Sequence, residues 1–199
     1  MARLPRDFFD RPTLQVVRDL LGQVLVRLLD GERLSGRIVE VEAYIGEDDL
    51  ASHARFGRTE RNAAMYGPPG CAYVYQIYGL HHCLNIVTER EGFPAAVLIR
   101  ALEPLEGREG MRARRGGVSD HLLTSGPARL CQAMGIDRSL DKADLCAPDA
   151  VLFVEAGAPV PDEAVATGPR VGVRGDRRAR TAPWRFYVAG NPYLSGKGR

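Results

Sequence analysis

The segment GRIVEVEAYIGEDDLASHARFGR, residues 36–58, carries the densest set of side chains able to do chemistry. Between Ile38 and Leu50 stand five acidic residues with no Lys or Arg among them, and Arg55, Arg58 and Arg61 follow. On a strand, alternation places Ile38, Glu40, Glu42 and Tyr44 on one face and Val39, Val41 and Ala43 on the other, the apolar face being the natural core side. Glu40 and Glu42 would then be close enough to act as a pair, and one carboxylate of such a pair can activate water. Two glutamates on an edge strand are most often merely solvated. The tyrosine, glycine break, histidine and three arginines that follow make this strand end a candidate site instead.

Two more clusters bear on function. The run AYVYQIYG sends Tyr73, Tyr75 and Ile77 to one face and Val74, Gln76 and Tyr78 to the other. Tyrosines at this density commonly just pack a sheet. Tyr78 differs because Gly79 follows it, which puts an aromatic ring on a turn, where base-stacking or wedge residues sit. From Arg170 to Arg185 there are six Arg against one Asp, and MRARRGG adds a second basic patch. Such runs are usually solvated surface, but planar guanidiniums among glycines also suit bidentate phosphate contact, so nucleic acid is a candidate partner.

These residues need elements to hold them. RPTLQVVRDLLG predicts a short helix with Pro12 in its first turn, Leu14, Val17 and Leu21 on one face and Gly22 closing it. QVLVRLL and ERLSGRIVEVEAY, joined by Asp30-Gly31, predict a hairpin. Residues 46–70 read as a long functional loop with one helical turn. CAYVYQIYG, CLNIVTE, AAVLIRALEP, AVLFVE, PRVGVRG and WRFYVAG read as strands. LEGREGMRARRGG reads as a surface helix, and SGPARLCQAMGI as a helix capped by Ser125 and closed by Gly135. The expectation is one α+β domain over residues 1–199, with a curved, largely antiparallel sheet and peripheral short helices.

Composition narrows the chemistry. The 199 residues are 45% hydrophobic and 26% charged, with a net charge of only +2. No apolar run approaches membrane-spanning length and the start lacks a secretory pattern, so the expected location is the cytoplasm, associated with the nucleoid if DNA is the partner. Of 27 basic residues only Lys142 and Lys197 are lysines, which leaves Schiff-base chemistry almost nothing to work with. The four cysteines and four histidines show no metal-ligand spacing, so no metal site is expected, and reduced cysteines are.

The strings GRIVEVEAYIGEDDLASHA, RNAAMYGPPGCAYVYQIYGLHHCLNIV, VLIRALEPLEG and SGPARLCQAMGI resemble the alkyladenine (3-methyladenine) DNA glycosylase family, in order and over most of the chain. The paired histidines of YGLHHCLN resemble its bacterial branch. The resemblance implies a compact mixed α/β domain that flips alkylated purines out of duplex DNA and hydrolyses the glycosidic bond, leaving an abasic site without cutting the strand. It implies 3-methyladenine and 7-methylpurines as substrates, with hypoxanthine and ethenoadenine open, and no cofactor. By resemblance, Glu42 is the general base and Arg100 helps hold the catalytic water, with the backbone carbonyl near Val171. Tyr44 and Tyr75 are walls of the base pocket, His53 its rim, Asn85 the residue that disfavours guanine, and Tyr78 the wedge. Arg55, Arg58, Arg61, Arg174, Arg177 and Arg178 are expected contacts to the DNA backbone, and a monomer is the simplest state. After RVGV the family's Gly/Ala- and Glu-containing stretch is replaced here by the more basic RGDRRARTAPWRFY, so contacts from that loop do not transfer. A catalytically silent lesion binder and a hydrolase of free nucleosides are the alternative classes.

Overall fold

The computed structural model describes residues 2–196; Lys197, one of the two lysines, lies outside them. Two short helices, α1 (Arg6–Phe9) and α2 (Thr13–Leu20), lead into a hairpin of β1 (Val24–Leu29) and β2 (Glu32–Ile45). Asp30 and Gly31, at φ 50° and 79°, make its two-residue turn, the geometry that Asp-Gly favours between twisted strands. α2 buries Val16, Val17 and Leu20, with Leu21 just beyond it; of the expected face Val17 and Leu21 are buried, whereas Leu14 is exposed and Val16 and Leu20 take its place.

β3 (Ala72–Ile77), β4 (His81–Val87) and β5 (Ala95–Pro104) follow, then α3 (Arg108–Arg114), α4 (Pro127–Met134), β6 (Leu152–Glu155), β7 (Val165–Gly168), α5 (Arg177–Thr181) and β8 (Arg185–Val188). All strand pairs among the described residues are antiparallel, in the order β3-β4-β5-β2-β1-β6, with β8 beside β2 and β7 beside β8. The main core lies where α2 and α4 cover the sheet, with Leu20, Leu25, Ile38, Val41, Ile99 and Met134 within it.

Three local expectations are corrected. PRVGVRG is irregular, because Gly172 and Gly175 take φ of 71° and 132°, far from strand geometry; the strand lies earlier, at β7. Gly126 rather than Ser125 occupies the cap of α4, and Ser125 Oγ accepts from Arg129 instead; Gly135, at φ 61°, does close the helix. The alternation in β2 is broken: Ile38 joins the main core with Val41 and Ala43, while Val39 packs with Ala101 and Leu194 on the other side.

That break positions the site. Pairing between β2 and β5 runs Ile38 to Leu102, Glu40 to Ala101 and Val41 to Ile99, so Val39 on one strand and Arg100 on the other are skipped. A bulge unpairs a residue and re-aims its side chain. Here it turns Arg100 toward Glu40 and Glu42. β2 is also no edge strand: its first half pairs with β1 and its second with β8, while β5 runs along its other side. Both glutamates are therefore sealed, at 0% exposure.

Candidate active site

Glu42 sits at the meeting point of three segments. Its Oε1 accepts from the backbone N–H of Val171 at 2.6 Å, and its Oε2 accepts from the Tyr44 hydroxyl at 3.0 Å with Arg100 Nη1 at 3.2 Å. A carboxylate offers about four lone-pair positions, and these three donors fix the orientation of Glu42. Arg100 is held from behind by Glu40: Nε lies 3.0 Å from Glu40 Oε1, and Nε and Nη2 lie 3.2 and 2.9 Å from Ser195 Oγ. Glu40 also takes Arg185 Nε at 2.7 Å and the Ser195 N–H at 2.6 Å. The two carboxylates thus alternate with two guanidiniums, and each of the four charges has an opposite one beside it. Burial pulls the Arg100 guanidinium toward deprotonation, but Glu42 and Glu40 together outweigh it and its pKa is raised.

Above this network opens a cavity of about 320 Å3 lined by Tyr44, His53, Tyr75, Asn85, Arg100 and Val171, among others. The structure therefore brings together the expected pocket residues, with Glu42 directly behind the Tyr44, Arg100 and Val171 wall. Tyr44 is driven well above the ordinary tyrosine pKa by burial and by Glu42, so it stays a hydroxyl that donates to Glu42. Tyr75 is likewise raised, chiefly by burial. Asn85, opposite Tyr73 on β4, donates from Nδ2 to the Tyr73 carbonyl at 3.1 Å, which fixes the amide's orientation at the cavity wall. Val171 also contributes its backbone N–H, which donates to Glu42, a contact apart from the water-holding role expected of the carbonyl in its segment.

His53 shares a 2.8 Å hydrogen bond between Nδ1 and the Tyr73 hydroxyl, and its ring meets Tyr75 edge-on at 4.5 Å. Burial, then Arg61 and Arg55, lower its pKa to about 4. The folded pKa lies below the unfolded value, so the unfolded chain takes up the proton first as pH falls. Stability should be fully present above about pH 6.5 and decline toward pH 4. After allowance for partial exposure, His53→Gln should remove roughly 1 kcal/mol of the loss seen between pH 7 and pH 5. Urea unfolding of both proteins at the two pH values measures this; identical losses would refute it.

Tyr78 lies at the tip of the β3–β4 hairpin, 90% exposed. Its φ of 51° is left-handed, a region that bulky residues seldom adopt and that marks a position to examine for function. Of the expected backbone-contacting arginines, Arg55, Arg58, Arg61, Arg174, Arg177 and Arg178 are all exposed, and Arg55 and Arg174 border the cavity. The basic run is not uniform, however. Arg170 and Arg185 point inward, Arg185 to Glu40 and Arg170 to Asp49 through two contacts of 2.6 and 2.8 Å. The MRARRGG patch is also internally occupied: Arg112 pairs with Glu109 and Asp120, Arg114 with Glu32, and Arg115 bonds Gln132. The divergent stretch forms α5, whose Asp176 caps it by accepting from the Ala179 N–H at 2.7 Å.

Sequence patterns did not reveal Arg170 as part of the site. Its guanidinium lies between the rings of Tyr44 and Trp184, at 4.7 and 4.9 Å, and donates to the carbonyls of Ala43 and Ala179. It ties the segment bearing Val171 to the strand bearing Glu42. The one available signal was the acidic run itself, since five acids without a local base must find partners elsewhere in the chain.

The model of the family described as Methylpurine-DNA glycosylase (MPG) matches residues 7–192. A protein of Methanocella arvoryzae is 53% identical, covering 98% of this chain and 96% of that protein. One of Alkaliphilus oremlandii is 49% identical over 98% of this chain and all of that protein, and one of Myxococcus xanthus 48% identical over 98% and 94%. Each of the three bears the name "Putative 3-methyladenine DNA glycosylase". Among the described residues no helix is long and apolar enough to cross a membrane. From the buried glutamate on its bulged strand to the match along nearly its whole length, the chain belongs to the methylpurine-DNA glycosylase family.

Proposed function

We propose that this protein is a monofunctional DNA glycosylase that extrudes alkylated purines from duplex DNA, 3-methyladenine and 7-methylpurines among them, and hydrolyses their bond to deoxyribose. The observation that carries this reading is the placement of Glu42, held by the Val171 N–H, the Tyr44 hydroxyl and Arg100, behind a cavity walled by aromatic rings. The target bond is out of reach inside a duplex, so the nucleotide must swing out, at roughly a few kcal/mol for unstacking. Tyr78 fills the gap it leaves. The purine enters between Tyr44 and Tyr75, where a ring sandwich favours a cationic base by about 0.5–2 kcal/mol over a neutral one. That is too small for full selectivity. The already weakened bond of the lesion and the fixed Asn85 amide, which obstructs the exocyclic amine of guanine, supply the rest.

Bond cleavage passes through a sugar cation resembling that of glycoside hydrolysis. Glu42 stabilises the cation and takes a proton from the attacking water, while Arg100 and the Val171 segment keep the carboxylate in place. The water oxygen bonds to the anomeric carbon, the glycosidic electron pair leaves with the purine, and an abasic site remains. Lys142 is exposed and away from the cavity lining, in keeping with hydrolysis rather than Schiff-base strand cutting. The test is base release from alkylated duplex DNA, with strands analysed before and after hot alkali. Free 3-methyladenine with strands that break only after alkali is the expected result. Breakage without alkali would overturn the monofunctional assignment, and duplex binding without release would establish a silent binder.

A further inference from the structure

Among the described residues the three most exposed large apolar side chains are Tyr78 at 90%, Phe56 at 82% and Leu80 at 77%. Tyr78 and Leu80 share the hairpin tip. Phe56 stands on a different segment, the loop that carries His53 and Arg55 to the cavity, and nothing so far gives it a task. This loop is firmly built. The buried Asn62 donates from Nδ2 to the carbonyls of His53 and Gly57 at 2.9 and 3.0 Å and accepts from the Thr59 N–H at 2.7 Å. The Gly57 N–H returns to the Ala54 carbonyl at 2.8 Å, and Gly57 itself, at φ 81°, turns the chain back directly after Phe56. The fold therefore braces a bare phenyl ring in water. The guanidinium of Arg55, which also lines the cavity, lies over it at 4.6 Å from the ring centre.

Resting on the glycosylase reading, we propose that Phe56 is a second nucleic-acid contact, packing on the nucleotide next to the extruded one on the same strand. An apolar ring on a braced tip recovers its exposure only when covered. The surrounding charge identifies the cover: Arg55, Arg58 and Arg61 follow one another along the same loop and are all exposed, as suits a polyanion rather than an apolar protein face. A strand whose nucleotide enters the cavity must pass its neighbours over the cavity mouth, where the Arg55–Phe56 tip stands. Rings take any base by stacking, so the contact adds affinity without choosing sequence.

The test is equilibrium binding to a duplex carrying one uncleavable abasic-site analogue, alongside single-turnover release from an alkylated duplex. Phe56→Ser should raise Kd about 10-fold, Phe56→Leu less, with the release rate at saturating enzyme and the melting temperature unchanged. The salt dependence of binding should keep its slope in Phe56→Ser and lose about one unit in Arg58→Ser, which separates ring stacking from phosphate contact. A Kd within 2-fold of wild type overturns the inference while leaving the glycosylase reading intact. Self-association that disappears in Phe56→Ser, with duplex binding unaltered, would assign the ring to contact between copies and likewise overturn it. If the wild type neither binds nor cleaves the duplex, both readings fall together.

Discussion

Replacing Glu42 by Gln should slow single-turnover release of 3-methyladenine by about 10²-fold or more, while affinity for the lesion duplex stays within a few fold. The amide nearly preserves the shape of the carboxylate: its oxygen can accept from the Val171 N–H, while its NH2 takes the place of the other oxygen and can donate to the Tyr44 hydroxyl, which rotates to accept. It cannot take a proton from water, and it carries no charge to set against a sugar cation. On the proposed reading duplex affinity would rest on other residues, the hairpin tip and the exposed arginines Arg55, Arg58, Arg61, Arg174, Arg177 and Arg178, which lie outside the Glu42 contacts. Binding and rate should therefore separate. Arg100 keeps its contact to Glu40 in the variant, so the cavity wall is retained. A rate within 3-fold of wild type would show that water activation lies elsewhere, and a parallel loss of binding would point to collapse of the site. Glu40→Gln makes the useful comparison: it alters the same charge network one residue pair away, without touching the group assigned to the water.

The contrast between those two glutamates shows where sequence reading reached and where it stopped. Alternation and turn chemistry made the hairpin through Asp30-Gly31, the run Tyr73–Ile77 and the exposed Tyr78 legible, because each depends on residues near it in the chain. The bulge at Val39 and Arg100 was not legible, since it is a property of two strands pairing and leaves no mark on either alone. Without it, strict alternation wrongly groups Ile38 with the glutamates. The burial of Glu40 and Glu42 was hidden for the same reason: it comes from β5 and β8 flanking β2, a matter of topology. Arg100 entered only through family resemblance, because a lone arginine in an apolar strand looks the same whether it is strained, paired or functional. PRVGVRG has the composition of a strand, yet two glycines with positive φ release it to carry Val171 over Glu42.

Arg170 offers the sharpest separation between arginines that look alike in sequence. Arg170→Met should destabilise the protein by about 3–5 kcal/mol, because Asp49, nearly inaccessible, would be left as a buried charge without its partner. For a chain of this length that corresponds to a melting temperature lower by roughly 10 °C. Arg174→Met and Arg178→Met, at exposed positions of the same run, should each stay within about 0.5 kcal/mol. The double variant Asp49→Leu with Arg170→Met removes both charges and should regain much of the loss, since an apolar pair can replace a buried ion pair. The binding signature should invert the stability order. Arg174 and Arg178 variants should lower the salt slope of duplex binding, whereas folded Arg170→Met should leave it unchanged. Its base-release rate should nonetheless fall, because the guanidinium that joins the Ala43 and Ala179 carbonyls also holds the Val171 N–H against Glu42. Equal stability of Arg170→Met and Arg178→Met in thermal unfolding would mean that the run is uniform surface after all, and that the strut between Tyr44 and Trp184 bears no strain when the fold is challenged.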